Sequence, residues 1–335
     1  MEKGAHKEPV KKGSRPEDIK SLAVEGQPHD VQRARVVGFL KPKFLDQKAQ
    51  IARALKQRKI TGLEAARRLS DVMDETITAL DRLAREEVFR TGGRTSSEQI
   101  CLVATGGYGR RQLAFYSDID VMFLIPYKPG PWVEKVTEFM LQVLWDLGLT
   151  VGHALRTGDD CIQMAEGDIS IKTSLLDARY LTGEKKLFEK FEKKFRKKII
   201  SGKGRQFVED KLEERDRRHQ RMGNSRYVVE PNLKEGKGGL RDLHTLFWLA
   251  RFLYRVEDIS GLVLKKIFTS KELGTFRRAE NFLWTVRQHL HLLNGRAEER
   301  VTFDMQLALA KEFRYQDHPG LNKVERFMKH YFLIA

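Results

Sequence analysis

The sequence predicts a mixed α/β (α+β) fold in two units: a small sheet flanked by helices, followed by an all-helical domain. Three observations carry that prediction. Short apolar runs between Gln99 and Thr157 have the length and composition of buried strands, a helical repeat of apolar residues precedes them, and beyond Asp159 the apolar spacing is helical throughout. At 335 residues, the chain has the length of two packed units of roughly 100–200 residues each.

Residues 1–38 are rich in Lys, Gly, Pro and Glu without sustained periodicity, which predicts a mobile basic tail. The N-terminal helices are expected within 39–92, where Ile51 and Leu55, then Leu63, Ala66, Leu69, Val72, Met73, Ile77, Leu80 and Leu83 recur at helical spacing. "QICLVAT" reads as a strand ended by Gly106 and Gly107, and "IDVMFLIPY" as a second strand stopped by Pro126, so the two bracket a polar loop. Pro131 opens a helix carrying Val133, Val136, Phe139, Met140, Val143 and Leu144, and Gly148 ends it before a third strand, "LTVGHAL". The remainder reads as helices over Leu175–Leu181, Lys185–Lys198, Phe207–Arg221, Leu240–Tyr254 and Phe276–Leu293. Trp145, Trp248 and Trp284 fall in apolar helical patterns and are expected in the core. His289 and His291 lie two apart, the wrong spacing for joint metal ligation on one helix face, so they read as core or surface histidines. The basic run from Lys185 reads as a solvated face over an apolar stripe of Leu187, Phe188, Phe191 and Phe195.

Hydrophobic residues make up 41% of the chain and charged residues 32%, a composition for a packed core under a charged surface. The formal charge of +16 favours an anionic partner: nucleic acid, anionic lipid or a polyphosphate. Cys101 and Cys161 stand alone without metal-type spacing, which excludes a disulfide framework and makes the cytoplasm the expected compartment. No apolar run approaches 18 residues, so no membrane span is expected.

The chemistry concentrates in "ATGGYGRRQLAFYSDIDVMFLI". Asp118 and Asp120 flank one isoleucine at a strand start, and strand alternation points both carboxylates to one face. Paired hard oxygen donors suit Mg²⁺, and two such ions can clamp the attacking and leaving oxygens of nucleotidyl transfer. Gly106 and Gly107 allow close backbone approach to phosphates; Ser117 adds a hydroxyl, and Arg110 and Arg111 add charge, so a triphosphate site is expected here. "EGKGGLRD", Glu235 to Asp242, reads either as a second phosphate or partner contact through Lys234, Lys237 and Arg241, or as a helix-entry turn.

"TGGYGRRQLAFYSDID" resembles the signature of the polymerase-beta-like nucleotidyltransferase superfamily, and in detail the N-terminal catalytic part of bacterial PII uridylyltransferases. "RHQRMGNSRYVVEPNLKEGKGGLRDLHTLFWLAR", "GRAEERVTFDMQLALAKEFRY" and "VERFMKHYF" resemble that family's following helical region, so the likeness runs from Gln99 to the end. It implies a nucleotidyltransferase domain at 93–180 with a mixed sheet, and a helical domain at 181–335. It also implies transfer of UMP from UTP to a tyrosine of the PII protein with release of diphosphate and Mg²⁺ as cofactor. By the same resemblance, Gly106 and Gly107 bind nucleotide, Ser117 contacts phosphate, and Asp118 and Asp120 are metal ligands. Most of the superfamily supplies a third carboxylate from a later strand, but Gly152 and His153 occupy the expected positions; Asp159, Asp160, Asp168 and Asp177 remain candidates. The family's His-Asp phosphohydrolase and ligand-sensing domains are not matched, so neither uridylyl removal nor glutamine sensing is expected of these residues. Alternatives are a nucleotidyltransferase acting on RNA or a small hydroxyl acceptor, and a silent nucleotide-binding module.

Overall fold

A computed structural model describes residues 22, 26–90 and 97–335; the first part of the segment read as a tail lies outside the described residues. Helix α1, His29–Lys56, begins well before the expected boundary near residue 38. Its buried face explains why: Gln32, Val36, Leu40 and Phe44 repeat every four residues and extend the stripe of Ile51 and Leu55 toward the N-terminus. Helix α2, Gly62–Leu83, is capped by the Thr61 side chain, which accepts from the Glu64 amide, and it runs into a π turn at Ala84–Val88.

Strands β1 (Cys101–Ala104), β2 (Ile119–Ile125), β3 (Val151–Thr157) and β4 (Arg179–Gly183) form one mixed sheet in the order β3-β2-β1-β4. β1 pairs antiparallel with β2 and β4, and β2 pairs parallel with β3. The parallel pair is joined through α4, Pro131–Asp146, as a parallel connection requires. The three strands expected from apolar runs are therefore present. β4 corrects the expectation of a helix over Leu175–Leu181: helix α6 (Ile169–Leu176) stops there and the chain turns into an edge strand of only intermediate burial. Trp145 is a second correction. It lies 49% exposed on α4, off the buried face of Val133, Val136, Met140 and Leu144.

Each face of the sheet is covered. Leu102, Ala104, Val121 and Phe123 pack toward α1, α2 and α4, while Cys101, Val103, Met122 and Leu124 face α5 (Gly158–Gly167), α6 and α7 (Lys185–Phe195). Fully burying such side chains contributes about 1.5–3 kcal/mol each, which fixes the strand register and hence the aim of the residues between. Phe191 and Phe195 are buried on α7 as the apolar stripe predicts, and its lysines are on the outside. The helical part continues with α8 (Gly204–Arg221), α9 (Leu240–Tyr254), the short α10 (Gly261–Leu264), α11 (Ser270–Asn294), α12 (Phe303–Glu312) and α13 (Lys323–Ile334). A third cluster around Trp284, Leu290, Leu309 and Phe327 also takes in Ala66 of α2 and Ala114. Trp248, Trp284, His289 and His291 are buried. No described helix is long and apolar enough to cross a membrane.

Candidate functional site

The segment after β1 does not remain a loop. Gly106–Gly109 winds into a single helical turn, α3, and Gly106 takes φ +56°, the left-handed region where glycine costs least. The Thr105 amide donates to the Asp120 carbonyl at 3.0 Å, which sets this turn against the start of β2. A side-chain carbon built on Gly106 would lie 2.8 Å from Asp120 Oδ2, and one built on Gly152 would lie 2.5 Å from Asp120 Oδ1. Gly152 faces Asp120 directly in the β2–β3 register. Asp120 therefore fills the space that a third acid at position 152 would need, and the two glycines form its cradle.

Asp118, Asp120, Gly106, Gly107, Ser117 and Arg110 all line one cavity of about 380 Å³. Asp118 is exposed to it and Asp120 is half-buried. Burial raises the Asp120 carboxyl above its ordinary range, and the neighbouring Asp118 charge raises it further, while Lys234 and Arg110 act in the opposite direction. Two hard oxygen donors with one strained by a like charge fit a divalent cation. Among the described residues, no group of three or more His, Cys, Asp or Glu is arranged to hold a metal.

The four candidates for a third acid are engaged elsewhere. Asp159 pairs with Lys194, Asp160 closes a capping box with Thr157, and Asp168 caps α6 through the amides of Ser170 and Ile171. Asp177 is buried among Arg110, Trp248 Nε1 (2.8 Å) and Arg251 (3.4 Å). Arg110, expected to meet phosphate, thus spends part of its guanidinium on Asp177. Arg111 pairs with Asp71 and does not line the cavity. The Ser117 hydroxyl oxygen accepts from the Ala114 amide at 2.7 Å, tightening the turn that leads to Asp118.

The helical part lines the same cavity with a basic wall that includes Lys211, Arg218, Lys234, Arg241 and Arg287, with Glu214, Glu235 and Glu299 set among them. Lys211 and Arg287 sit at helix positions that carry no local motif, and sequence reading missed them. Lys234 and Arg241 belong to the glycine-rich segment that read two ways, and both functions coexist there. Asn232 Oδ1 accepts from the amides of Lys234 and Glu235, and Gly238 takes φ +81°, so the turn delivers Lys234 into the cavity while starting α9. Burial lowers the Lys234 ammonium from its ordinary value, and the charges of Arg287 and Arg241 lower it further. Lys234 has no ion pair among the described residues, whereas Arg241 pairs with Glu235 at 2.9 Å and Arg287 with Glu299 at 2.5 Å. Lys237 does not line this cavity.

Residues 206–335 match the family model described as GlnD PII-uridylyltransferase. The bifunctional uridylyltransferase/uridylyl-removing enzyme of Azospirillum brasilense is 49% identical over 319 residues, 95% of this chain and 34% of its own length. Over most of its length the chain is similar to the PII-uridylyltransferase family. Enzymes with the same description from Bradyrhizobium sp. (strain ORS 278) and Rhodospirillum rubrum are 48% and 46% identical, covering 91% and 95% of this chain. The chain spans about a third of the length of these curated relatives. The part matched by the PII-uridylyltransferase model contains the residues of the basic wall, while Asp118 and Asp120 lie in the stretch covered by the full-length relatives.

Proposed function

We propose that this chain catalyses uridylyl transfer, moving UMP from UTP to a tyrosine hydroxyl of PII and releasing diphosphate. The observation that carries the reading is the presence in one cavity of Asp118 and Asp120 together with several arginines and Lys234, which has no ion pair among the described residues. A triphosphate is the ligand that such opposed sets suit: its charge meets the basic wall, and its metal meets the acids.

Asp118 and Asp120 would hold divalent metal, Mg²⁺ being the expected ion. When bound, it would supply charge neutralisation at the α-phosphate and lower the cost of forming the phenolate, whose ordinary pKa is about 10. The Gly106 and Gly107 backbone approaches the phosphates, and Lys234 and Arg287 offset the charge that gathers on the departing diphosphate. The phenolic oxygen attacks the α-phosphorus, the bond to the bridging oxygen of the diphosphate breaks, and the phenolic proton passes to solvent. Asp120 is half-buried, and the missing side chains of Gly106 and Gly152 leave the space its carboxylate occupies.

The test is incubation of the chain with Mg²⁺, UTP labelled at the α-phosphate, and either PII or RNA. Label on PII that disappears in Asp118→Asn and Asp120→Asn is the expected result. Extension of RNA with unlabelled PII would move the acceptor to nucleic acid, and nucleotide binding without transfer to either would leave a silent module.

A further inference from the structure

The loop that delivers Asp118 is held from outside the sheet. Between α3 and β2, the Leu113 amide reaches the Ala66 carbonyl at 3.5 Å, and Ala114 and Ser117 bond to one another. The next two amides, Phe115 and Tyr116, are satisfied by α11. Gln288 Oε1 accepts from the Phe115 amide at 3.2 Å, and Gln288 Nε2 donates to the Leu113 carbonyl at 3.0 Å and the Gly62 carbonyl at 3.5 Å. His291 Nδ1 accepts from the Tyr116 amide at 3.3 Å. Gln288 and His291 are both fully buried and Phe115 beside them is 4% exposed, while the Tyr116 side chain reaches the surface, so the bonds of Gln288 are shielded from water.

The His291 ring has its own support. With Nδ1 accepting, Nε2 is the ring nitrogen left to carry the proton; it lies 3.6 Å from Glu299 Oε1, an electrostatic contact beyond hydrogen-bond distance. Glu299 in turn receives Arg287 through both Nε and Nη2. Burial alone would raise the Glu299 carboxyl, but His291 and Arg287 outweigh it and hold it at about 2, so it remains an anion. Arg287, Glu299 and His291 all line the cavity. One chain of contacts therefore runs from a cation of the basic wall to the backbone two residues before Asp118.

We infer that Gln288 and His291 are positioning residues: by clamping the backbone of Leu113–Tyr116 they fix Asp118 over the cavity beside Asp120. This rests on the reading of Asp118 and Asp120 as metal ligands. A clamp with two defined acceptors leaves little freedom for the following carboxylate, and the precise placement of a ligating side chain depends on such support.

His291→Asn and His291→Gln separate the role from folding, since both replace the ring with an amide. The Asn amide oxygen falls where Nδ1 lies and retains the acceptor for the Tyr116 amide; the Gln amide falls where Nε2 lies and loses it. Gln288→Met removes the second clamp at similar volume. The readouts are Mn²⁺ titration of the apo chain, hydrogen exchange over Leu113–Ser117, and kcat and KM for UTP. His291→Gln and Gln288→Met should weaken Mn²⁺ binding and lower kcat by about tenfold or more, speed exchange in that loop, and keep KM within about twofold. His291→Asn should stay near wild type. Equal Mn²⁺ affinity and equal loop exchange in the Asn and Gln variants would overturn the inference. The Mn²⁺ and exchange results decide it even where the wild-type chain labels no PII, which is the failure of the acceptor assignment alone.

Discussion

Asp177 offers the sharpest separation between two roles for an acid. A metal ligand can lose its charge with little effect on stability, because its neighbours repel it; an anchor for buried cations cannot. The Asp177 side chain is fully buried, receives Arg110, Trp248 and Arg251, and sits in front of an Arg110 side chain only 7% exposed. Asp177→Asn leaves the Trp248 bond an acceptor but strips the counter-charge from Arg110. Breaking one half of a buried ion pair costs about 3–5 kcal/mol. Against a total stability on the order of 5–15 kcal/mol, that is about a fifth of the margin or more. Urea unfolding followed by circular dichroism should show a large fall in midpoint, while Mn²⁺ titration of the folded variant should find affinity near that of wild type. A variant of unchanged stability that has lost Mn²⁺ would refute the anchor role and restore Asp177 as the third ligand.

Gly152→Ala places a carbon 2.5 Å from Asp120 Oδ1; displaced from its cradle, Asp120 should cost transfer activity about tenfold or more, roughly 1.4 kcal/mol, with the unfolding midpoint close to wild type. Activity equal to wild type would mean the carboxylate has room to move. Lys234→Met removes a desolvated ammonium that has no ion pair among the described residues, so thermal stability should hold or rise while KM for UTP increases about tenfold. A loss of stability without a change in KM would contradict the phosphate role. Glu299 is depressed from 4.5 to about 2, so its contribution is present above pH 4.5 and disappears as pH falls toward 2. The stability gap between wild type and Glu299→Gln should be about 3 kcal/mol at pH 7 and narrow steadily between pH 5 and pH 2; a gap constant with pH would refute the linkage.

How much of this was legible in the sequence follows from how local each cause is. Strands β1 and β2 were readable from their apolar runs, and the more polar β3 from its place between Gly148, which ends the preceding helix, and Gly158. β4 was not, since Arg179–Gly183 is a half-buried edge strand without an apolar run, and Leu175 and Leu176 just before it carry the helical signal of α6. The beginning of α1 was obscured because its upstream half mixes Gln32 and basic residues among only two well-spaced apolar positions. Asp118, Asp120, Gly106, Gly107 and Ser117 share one cavity as their spacing implies, because eleven residues and one strand pairing suffice to bring them together. The function of Gly152 needed the register: only the pairing with Asp120 turns an absent acid into a space already filled.

The cavity divides its chemistry between the two parts of the chain, and that division explains why the basic wall escaped a reading by motif. The sheet supplies the acids, whose mutual repulsion favours a cation; the helices supply Lys211 and Arg287, held by Glu214 and Glu299, and Lys234, which has no ion pair among the described residues and whose charge favours an anion. Under the proposed function, a metal-bound triphosphate would bridge the acids and the free Lys234 charge. The ties that hold the halves in register are themselves polar and buried: Asp177 to Trp248 and Arg251 of α9 on one side of α3, Gln288 and His291 of α11 to the loop on the other. Hydrogen bonds to specific buried atoms are directional, so together with the apolar packing of Ala66 and Ala114 against the Trp284 cluster they define how the two parts meet. The helical part therefore sets the geometry of the acids as well as the charge opposite them, and substitutions on α9 or α11 far from Asp118 should read out first in kcat.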